Sequence, residues 1–96
     1  MADLVFEWDS EKAASNLAKH CVSFEEALTV FADPLAAIHD DPDHSEDEER
    51  ELIVGHSTAA RLLIVSFTEL PNSVRIISAR EVTRRERRDY EASTKK

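Results

Sequence analysis

Residues 61–80 read RLLIVSFTELPNSVRIISAR, and this stretch contains the clearest structural pattern in the chain. Two runs rich in β-branched residues, 62–67 and 74–77, stand on either side of Pro71-Asn72, a pair typical of a hairpin turn. The first run is apolar on both faces for most of its length, as expected of a central strand. The sequence therefore predicts a β-hairpin whose first strand is flanked on both sides.

The rest of the sheet is predicted from weaker signals of the same kind. The runs 35–38 and 52–54 are also short and β-rich, and turn-prone residues separate them. Short connections favour antiparallel neighbours, so we expect the four runs to form a meander. After the last run, Thr83 and Glu86 have the spacing of a capping box and predict a C-terminal helix.

Two helices are predicted before the sheet. Asp9 or Ser10 can cap the first, whose apolar residues recur at three- and four-residue spacing: Ala13, Ala14, Leu17, Ala18 and Cys21. Ser23 and Glu26 form a second capping-box pattern, and Asp33-Pro34 ends the helix that they begin. The expected fold is α+β, an antiparallel sheet packed against two N-terminal helices and a C-terminal helix.

Size and composition predict one domain over residues 1–96. The chain has 42% hydrophobic and 33% charged residues with a single glycine, which is typical of a folded globular protein. Its longest apolar run, residues 62–65, is far shorter than the roughly 20 residues that span a bilayer. The lone Cys21 has no internal disulfide partner, and we expect a cytoplasmic protein without a membrane association.

The charge is distributed unevenly along the chain. The net charge of -8 argues against nucleic-acid binding by the chain as a whole. Residues 74–96, however, contain eight basic and four acidic residues, whereas residues 40–51 contain eight carboxylates and Arg50 alone as a cation. The basic C-terminal part can therefore bind a phosphate-bearing ligand, while the acidic stretch is expected to be a solvated loop.

Arg80 is the first candidate for a site because it follows the last predicted strand, where a side chain can project beyond the sheet. On the next helix, Arg84, Arg87 and Arg88 share one face, and Glu86 and Tyr90 lie one turn apart on another. Each arginine of this helix can instead be an ordinary solvated charge.

Lys19-His20 is the second candidate, because imidazole titrates near neutrality and the adjacent lysine can bind phosphate. Cations also stabilise the C-terminal turn of a helix without any catalytic role, and that alternative stays open. Arg61 can reach the same edge of the sheet as Arg80, or it can be an exposed strand terminus. The carboxylates and imidazoles from His39 to His44 fit no standard metal-ligand spacing, and no metal site is predicted.

Beyond these patterns, the sequence resembles the BrnT family of toxins over almost its whole length. In the first half the matching segments are FEWD at 6–9, Asn16, KH at 19–20, VSFEEA at 22–27 and VFADP at 30–34. In the second half they are Glu49-Arg50, Gly55, residues 63–65, RIISAR at 75–80, Thr83, Glu86-Arg87 and Tyr90-Glu91. One departure is Cys21, where we expect the family to have glycine; because cysteine resists a left-handed helix cap, we expect the helix end to differ.

The resemblance implies a ribonuclease with a fold similar to RelE-type toxins. It implies metal-independent cleavage of RNA, with no cofactor, and a BrnA-like antitoxin whose ribbon-helix-helix region binds DNA. A dimeric antitoxin makes a 2:2 complex natural, and DNA is contacted only through it.

The residues that the resemblance favours as the active surface are Lys19, His20, Arg61, Arg80, Glu86, Arg87 and Tyr90. In this interpretation Arg80, helped by Arg61 and Lys19, stabilises the phosphorane. His20 or Glu86 accepts the proton of the 2′-hydroxyl, and Tyr90 positions the substrate or donates a proton to the leaving oxygen. The competing hypothesis is a non-catalytic module that only docks an antitoxin or a nucleic acid through the arginine-rich helix.

Overall fold

The structure, a computed structural model, describes residues 5–40 and 49–94. Most of the acidic stretch, including Asp41, Asp43 and His44, therefore lies outside the described residues. The elements in chain order are β1 (Phe6–Glu7), α1 (Ser10–His20), α2 (Phe24–Leu28) with a 3₁₀ turn (Thr29–Ala32), β2 (Ala37–Asp40), β3 (Glu51–His56), β4 (Leu62–Leu70), β5 (Ser73–Glu81) and α3 (Arg84–Thr94). No helix in this part of the chain has the length and apolar character needed to cross a membrane.

The strands form one sheet in the order β1-β5-β4-β3-β2. The predicted meander is confirmed: β2–β3, β3–β4 and β4–β5 each pair in antiparallel fashion, and β4 is central. The sheet is not wholly antiparallel, however, because β1 pairs with β5 in parallel. No hairpin constrains the direction of β1, since the helices α1 and α2 and the strands β2 to β4 separate it from β5 along the chain. Its side chain Phe6 packs on Phe31 in the core, and the backbone N–H of Val74 donates to the carbonyl of Val5 at 2.8 Å.

Each face of the sheet has its own apolar cluster. On one face the helices α1 and α2 cover the larger core, to which Phe24, Val30, Leu63, Val65 and Ile76 contribute fully buried side chains. On the other face α3 contributes Tyr90, which packs with Leu62 and Val54. Side chains of successive strand residues point to opposite faces. The consecutive β4 residues Leu62 and Leu63 therefore belong to different clusters.

The apolar positions predicted to bury α1 are mostly exposed, and this expectation is wrong. Leu17 is 51% exposed, and the buried residue of the helix is Asn16. The Asn16 amide donates to the carbonyls of Val22 and Ala79 at 2.9 and 2.8 Å, and its oxygen accepts from the N–H of Ala79 at 3.0 Å. Because β1 covers only the start of β5, this amide satisfies backbone groups farther along the same edge.

The N-terminal ends of the three helices agree with the predicted capping residues, but the C-terminal end of α1 does not follow the prediction. Asp9 caps α1 and Ser23 caps α2, although α2 gives way to a 3₁₀ turn after Leu28. Thr83 and Glu86 form a complete capping box at α3. The expected change at the end of α1 does not occur, because Cys21 adopts the left-handed conformation (φ 58°, ψ 31°). Its N–H bonds the carbonyl of Leu17 at 2.9 Å, as a glycine at this position would.

Candidate functional site

The predicted site residues lie around one end of the sheet, where β4 begins and β5 ends. Arg80 and Glu81 are consecutive on β5, so their side chains point to opposite faces. Arg80 binds a residue of α3, whereas Glu81 binds Arg61 on the side of α1 and α2. The structure therefore divides the predicted active surface into two clusters, which we call the Arg80 cluster and the Arg61 cluster.

In the Arg80 cluster, a two-point ion pair fixes the guanidinium. Its Nη1 donates to Glu86 Oε1 at 2.8 Å and its Nη2 donates to Oε2 at 2.9 Å. Nη1 also donates to the carbonyl of Glu81 at 3.2 Å. Among the described residues, the Nε–H and the second Nη2–H have no partner. Since 39% of the side chain is exposed, a rigid, partly open cation is available to an anionic ligand.

Glu86 is the group that holds this cation in place. Hydrogen bonds from the Arg80 guanidinium, aided by the backbone N–H of Thr83, lower the pKa of Glu86 to about 2. The carboxylate is therefore ionised at neutral pH and is a weak base there. This favours a positioning role over the proton-accepting role that the sequence left open.

The helix α3 adds more positive charge on the same side of the sheet. Arg84, Arg87 and Arg88 are all exposed on it. The capping box fixes the beginning of this helix directly after β5 through Glu86, which also binds Arg80. The orientation of α3 and that of Arg80 are thus set by one carboxylate.

Tyr90 is placed differently from the prediction of a surface catalytic group. The residue is only 7% exposed, and its hydroxyl donates to the carbonyl of Leu35 at 3.3 Å. Its ring packs edge-on against His56, with the ring centres 5.8 Å apart. Burial raises the pKa of Tyr90. These contacts suit a side chain that anchors α3 to the sheet.

In the Arg61 cluster, most of the donors of Arg61 are already in use. Its Nε donates to Glu26 Oε2 at 2.9 Å, and its Nη2 donates to the other oxygen of Glu26 and to the carbonyl of Cys21. Its Nη1 donates to Glu81 at 3.3 Å. Arg61 therefore joins the end of α1, the helix α2 and the end of β5, and within residues 5–40 and 49–94 one Nη1–H has no partner and is available to a ligand.

Glu26 and Ser57 belong to this cluster and were missed by the sequence prediction. The Ser23-Glu26 spacing indicated only a capping role for Glu26. In the structure the Glu26 carboxylate instead accepts from Arg61 and, at 2.7 Å, from the Ser57 hydroxyl. Hydrogen bonds from Arg61 lower the pKa of Glu26. Only the structure reveals this pairing, because Glu26 is on α2, whereas Ser57 and Arg61 are in the turn between β3 and β4, 31 and 35 residues further along the chain.

Lys19 and His20 are exposed at the end of α1, next to the Cys21 carbonyl that Arg61 binds. They therefore lie on the side of the Arg61 cluster, and the sheet end separates them from the guanidinium of Arg80. A ligand that contacts both clusters has to cross this end of the sheet. In the described part of the chain, no group of three or more histidine, cysteine or acidic side chains is arranged to hold a metal ion.

Comparisons with known proteins identify the family. No curated protein matches the sequence. The solved structure of the ribonuclease toxin BrnT from Brucella abortus is similar to this chain, with a TM-score of 0.63 and 19% sequence identity over 85% of this chain and 100% of that one. At this identity the likeness shows the α+β fold alone. The family model "Ribonuclease toxin, BrnT, of type II toxin-antitoxin system" matches residues 8–86. The chain therefore belongs to the BrnT family of ribonuclease toxins, RNA-cleaving enzymes that are paired with an antitoxin.

Proposed function

We propose that this protein is a metal-independent endoribonuclease in which Arg80 stabilises the charge that develops on the reacting phosphate. The observation that carries this proposal is the geometry of Arg80. Glu86 fixes the guanidinium at two points, and two of its N–H groups have no partner within the described residues. A preorganised donor of this kind stabilises a phosphorane without rearranging during the reaction.

The proposed chemistry is an internal transfer. The RNA 2′-oxygen loses its proton and attacks the adjacent phosphorus, the bond from phosphorus to the 5′-oxygen breaks, and the leaving 5′-oxygen takes a proton from solvent. Of the two proton acceptors considered, His20 is favoured, since the low pKa of Glu86 makes it a weak base. Because His20 lies on the Arg61 side of the sheet end, the RNA strand has to cross this end to place the 2′-hydroxyl at His20 while Arg80 holds the phosphate. Lys19 binds the phosphate that lies beside His20.

The remaining basic residues serve to hold the RNA backbone. Arg84, Arg87 and Arg88 are exposed on α3 and bind phosphates on the Arg80 side of the sheet end. Arg61 binds through its remaining Nη1–H while Glu26 keeps it in place. Tyr90 anchors α3 instead of donating a proton.

The test compares antitoxin-free parent protein with Arg80→Ala on a defined RNA in EDTA. We expect the parent to cleave and Arg80→Ala to lose roughly a hundred- to thousandfold in rate. Arg75→Ala is the matched control, because Arg75 lies on the same strand and pairs with Glu7 far from the sheet end. Near-parental cleavage by a folded Arg80→Ala protein would overturn the site assignment.

The same experiment separates catalysis from docking. If the parent cleaves RNA neither free nor on translating ribosomes, yet binds its antitoxin, the protein is a binding module of the kind considered from its net acidity. His20→Ala provides a second arm: the loss of cleavage with retained antitoxin binding supports His20 as the proton acceptor.

The proposed partner is a BrnA-like ribbon-helix-helix antitoxin in a 2:2 complex, and the proposed compartment is the cytoplasm. The family description supports an antitoxin, and the type II class makes it a protein. We also assign the fold to the RelE-like toxins, on the basis of a meander sheet with two preceding helices. Light scattering on the co-purified complex distinguishes 2:2 from 1:1 by mass.

A further inference from the structure

A cavity of about 230 Å³ lies between the sheet and α3, on the same face as Arg80. Ala37, Val54 and Ile64 contribute apolar surface to it and Tyr90 contributes an aromatic ring. His39 and Asp89 add polar groups, and Glu86 lies at the side that adjoins Arg80. Ser93 also lines the cavity, and its hydroxyl already donates to the carbonyl of Tyr90 at 2.8 Å. This cavity has no role in the function proposed above.

The position of the cavity relative to Arg80 follows from the strand register. Ala37 is opposite Val54, Val54 is opposite Ile64, and Ile64 is opposite Arg80. The apolar residues therefore form one row across the sheet that ends at Arg80. Directly paired side chains are roughly 5 Å apart, so the cavity begins one strand away from the guanidinium.

Its chemistry fits a neutral, flat, partly polar group better than a phosphate. The carboxylates of Glu86 and Asp89 repel an anion, and the apolar row offers a phosphate no donor. The volume is below the roughly 300–1,000 Å³ of pockets that enclose drug-sized ligands, which limits the occupant to a group of about one ring system. Because Tyr90 is only 7% exposed, its ring forms part of the cavity wall and is not a free stacking surface. The apolar row with hydrogen-bond acceptors beside it suits the flat, partly polar surface of an unstacked base.

We infer that this cavity binds one nucleobase of the RNA, next to the phosphate that Arg80 holds. The inference rests on the proposed function and adds a specificity site to it. Since the Asp89 carboxylate only accepts hydrogen bonds, it favours bases with an exocyclic amino group over uracil, whose donor N3–H lies between two carbonyl oxygens that the carboxylate repels. Adenine, guanine and cytosine are therefore bound in preference to uracil.

The test measures binding separately from cleavage. The ligands are short 2′-fluoro RNA strands, which cannot be cleaved because they lack the attacking hydroxyl. One strand is complete, and each of the others has an abasic residue at one position. The parent is expected to bind one of these abasic strands about tenfold more weakly than the complete strand. Ala37→Trp fills the cavity and is expected to bind the complete strand as weakly as that abasic one. Ile38→Trp is the matched control, because Ile38 is its neighbour on β2, is 57% exposed and points to the other face.

The base preference is tested at the position that the abasic scan identifies. Asp89→Asn adds a donor, and we expect it to raise the affinity for uracil relative to cytosine, whereas Glu91→Gln on the same helix leaves the ratio unchanged.

Equal binding of all abasic and complete strands by the parent would overturn the inference, whether or not RNA is cleaved. The inference also fails if Ala37→Trp weakens only antitoxin binding, since the cavity then holds a side chain of the antitoxin. Base-dependent binding without cleavage in EDTA would instead contradict the proposed function and support the cavity assignment.

Discussion

Arg80 and Glu81 are adjacent in the chain, yet each binds a partner on a different face of the sheet. Arg80 pairs with Glu86 of α3, and Glu81 pairs with Arg61 at the start of β4. Two consecutive residues of β5 thus connect the helix on one face to the helices on the other. The charged end of the sheet is one connected structure, and the following predictions test its parts.

The Arg80–Glu86 pair makes stability depend on acid. The hydrogen bonds from Arg80 lower the pKa of Glu86 from 4.5 to about 2 in the folded protein. The stabilisation is therefore complete above pH 4.5 and is lost as the pH falls towards about 2. Because 33% of the Glu86 side chain is exposed, screening reduces the contribution to about 1–2 kcal/mol.

Urea unfolding of the parent and Glu86→Gln over this pH range measures that contribution. We expect the difference between their free energies of unfolding to shrink as the pH falls. Glu25→Gln, an exposed carboxylate of α2, serves as the control. A difference that stays constant with pH would show that the pair contributes nothing through titration.

Arg61 and Glu26 are predicted to be strongly coupled. Their side chains are only 29% and 16% exposed, so each one loses a partly buried partner when the other is removed. We expect Arg61→Ala and Glu26→Ala each to cost about 2 kcal/mol and the double variant to cost little more than either. The Arg75–Glu7 pair is the control, because its side chains are 47% and 44% exposed; its coupling should stay below about 1 kcal/mol. Equal coupling in the two pairs would contradict the bridging role of Arg61.

Asn16 is predicted to be essential for docking α1. Asn16→Ala leaves the carbonyls of Val22 and Ala79 and the N–H of Ala79 without their amide partner in a buried site. We expect a loss of roughly 3 kcal/mol in the free energy of unfolding, measured in urea. Ser15→Ala, at the exposed neighbouring position, should change it by less than about 0.5 kcal/mol. A small effect of Asn16→Ala would mean that water replaces the amide.

Cys21 is predicted to be a position where glycine stabilises the fold. The left-handed conformation strains a residue with a Cβ atom, and the side chain of Cys21 is exposed, so Cys21→Gly removes strain without losing packing. We expect a gain of up to about 1 kcal/mol in urea unfolding. Ala18→Gly, inside the exposed face of α1, should lose about 1 kcal/mol instead. A loss in both variants would show that Cys21 makes a favourable contact.

The sequence predicted the elements that local patterns determine. The β4–β5 hairpin, the meander order and the three capping residues Asp9, Ser23 and Thr83 were all confirmed. Each depends on residues that are close together in the chain. The parallel pairing of β1 was missed because two residues carry no periodicity, and its partner Val74 lies far along the sequence.

The sequence also predicted which charged residues gather at the sheet end, but not how they divide. The spacing along β5 placed Arg80 at an edge, whereas its pairing with Glu86 and the burial of Tyr90 depend on where α3 packs. For α1 the apolar pattern was misleading, since alanines bury little surface and one asparagine makes the decisive contact. Polar contacts between distant elements leave no periodic signal in a sequence.

The parallel β1–β5 pairing has a consequence for synthesis on the ribosome. Val5 cannot bond Val74 until translation has passed through both helices, the meander and the hairpin turn. Pairings over such a separation form late, because the entropy cost of closing a long loop comes before the free energy gained from the contacts. The last helix, which orients Arg80 through Glu86, is made later still. A nascent chain therefore has no organised Arg80 cluster while most of it is being translated. During that time the proposed activity cannot act on the ribosome that synthesises the protein.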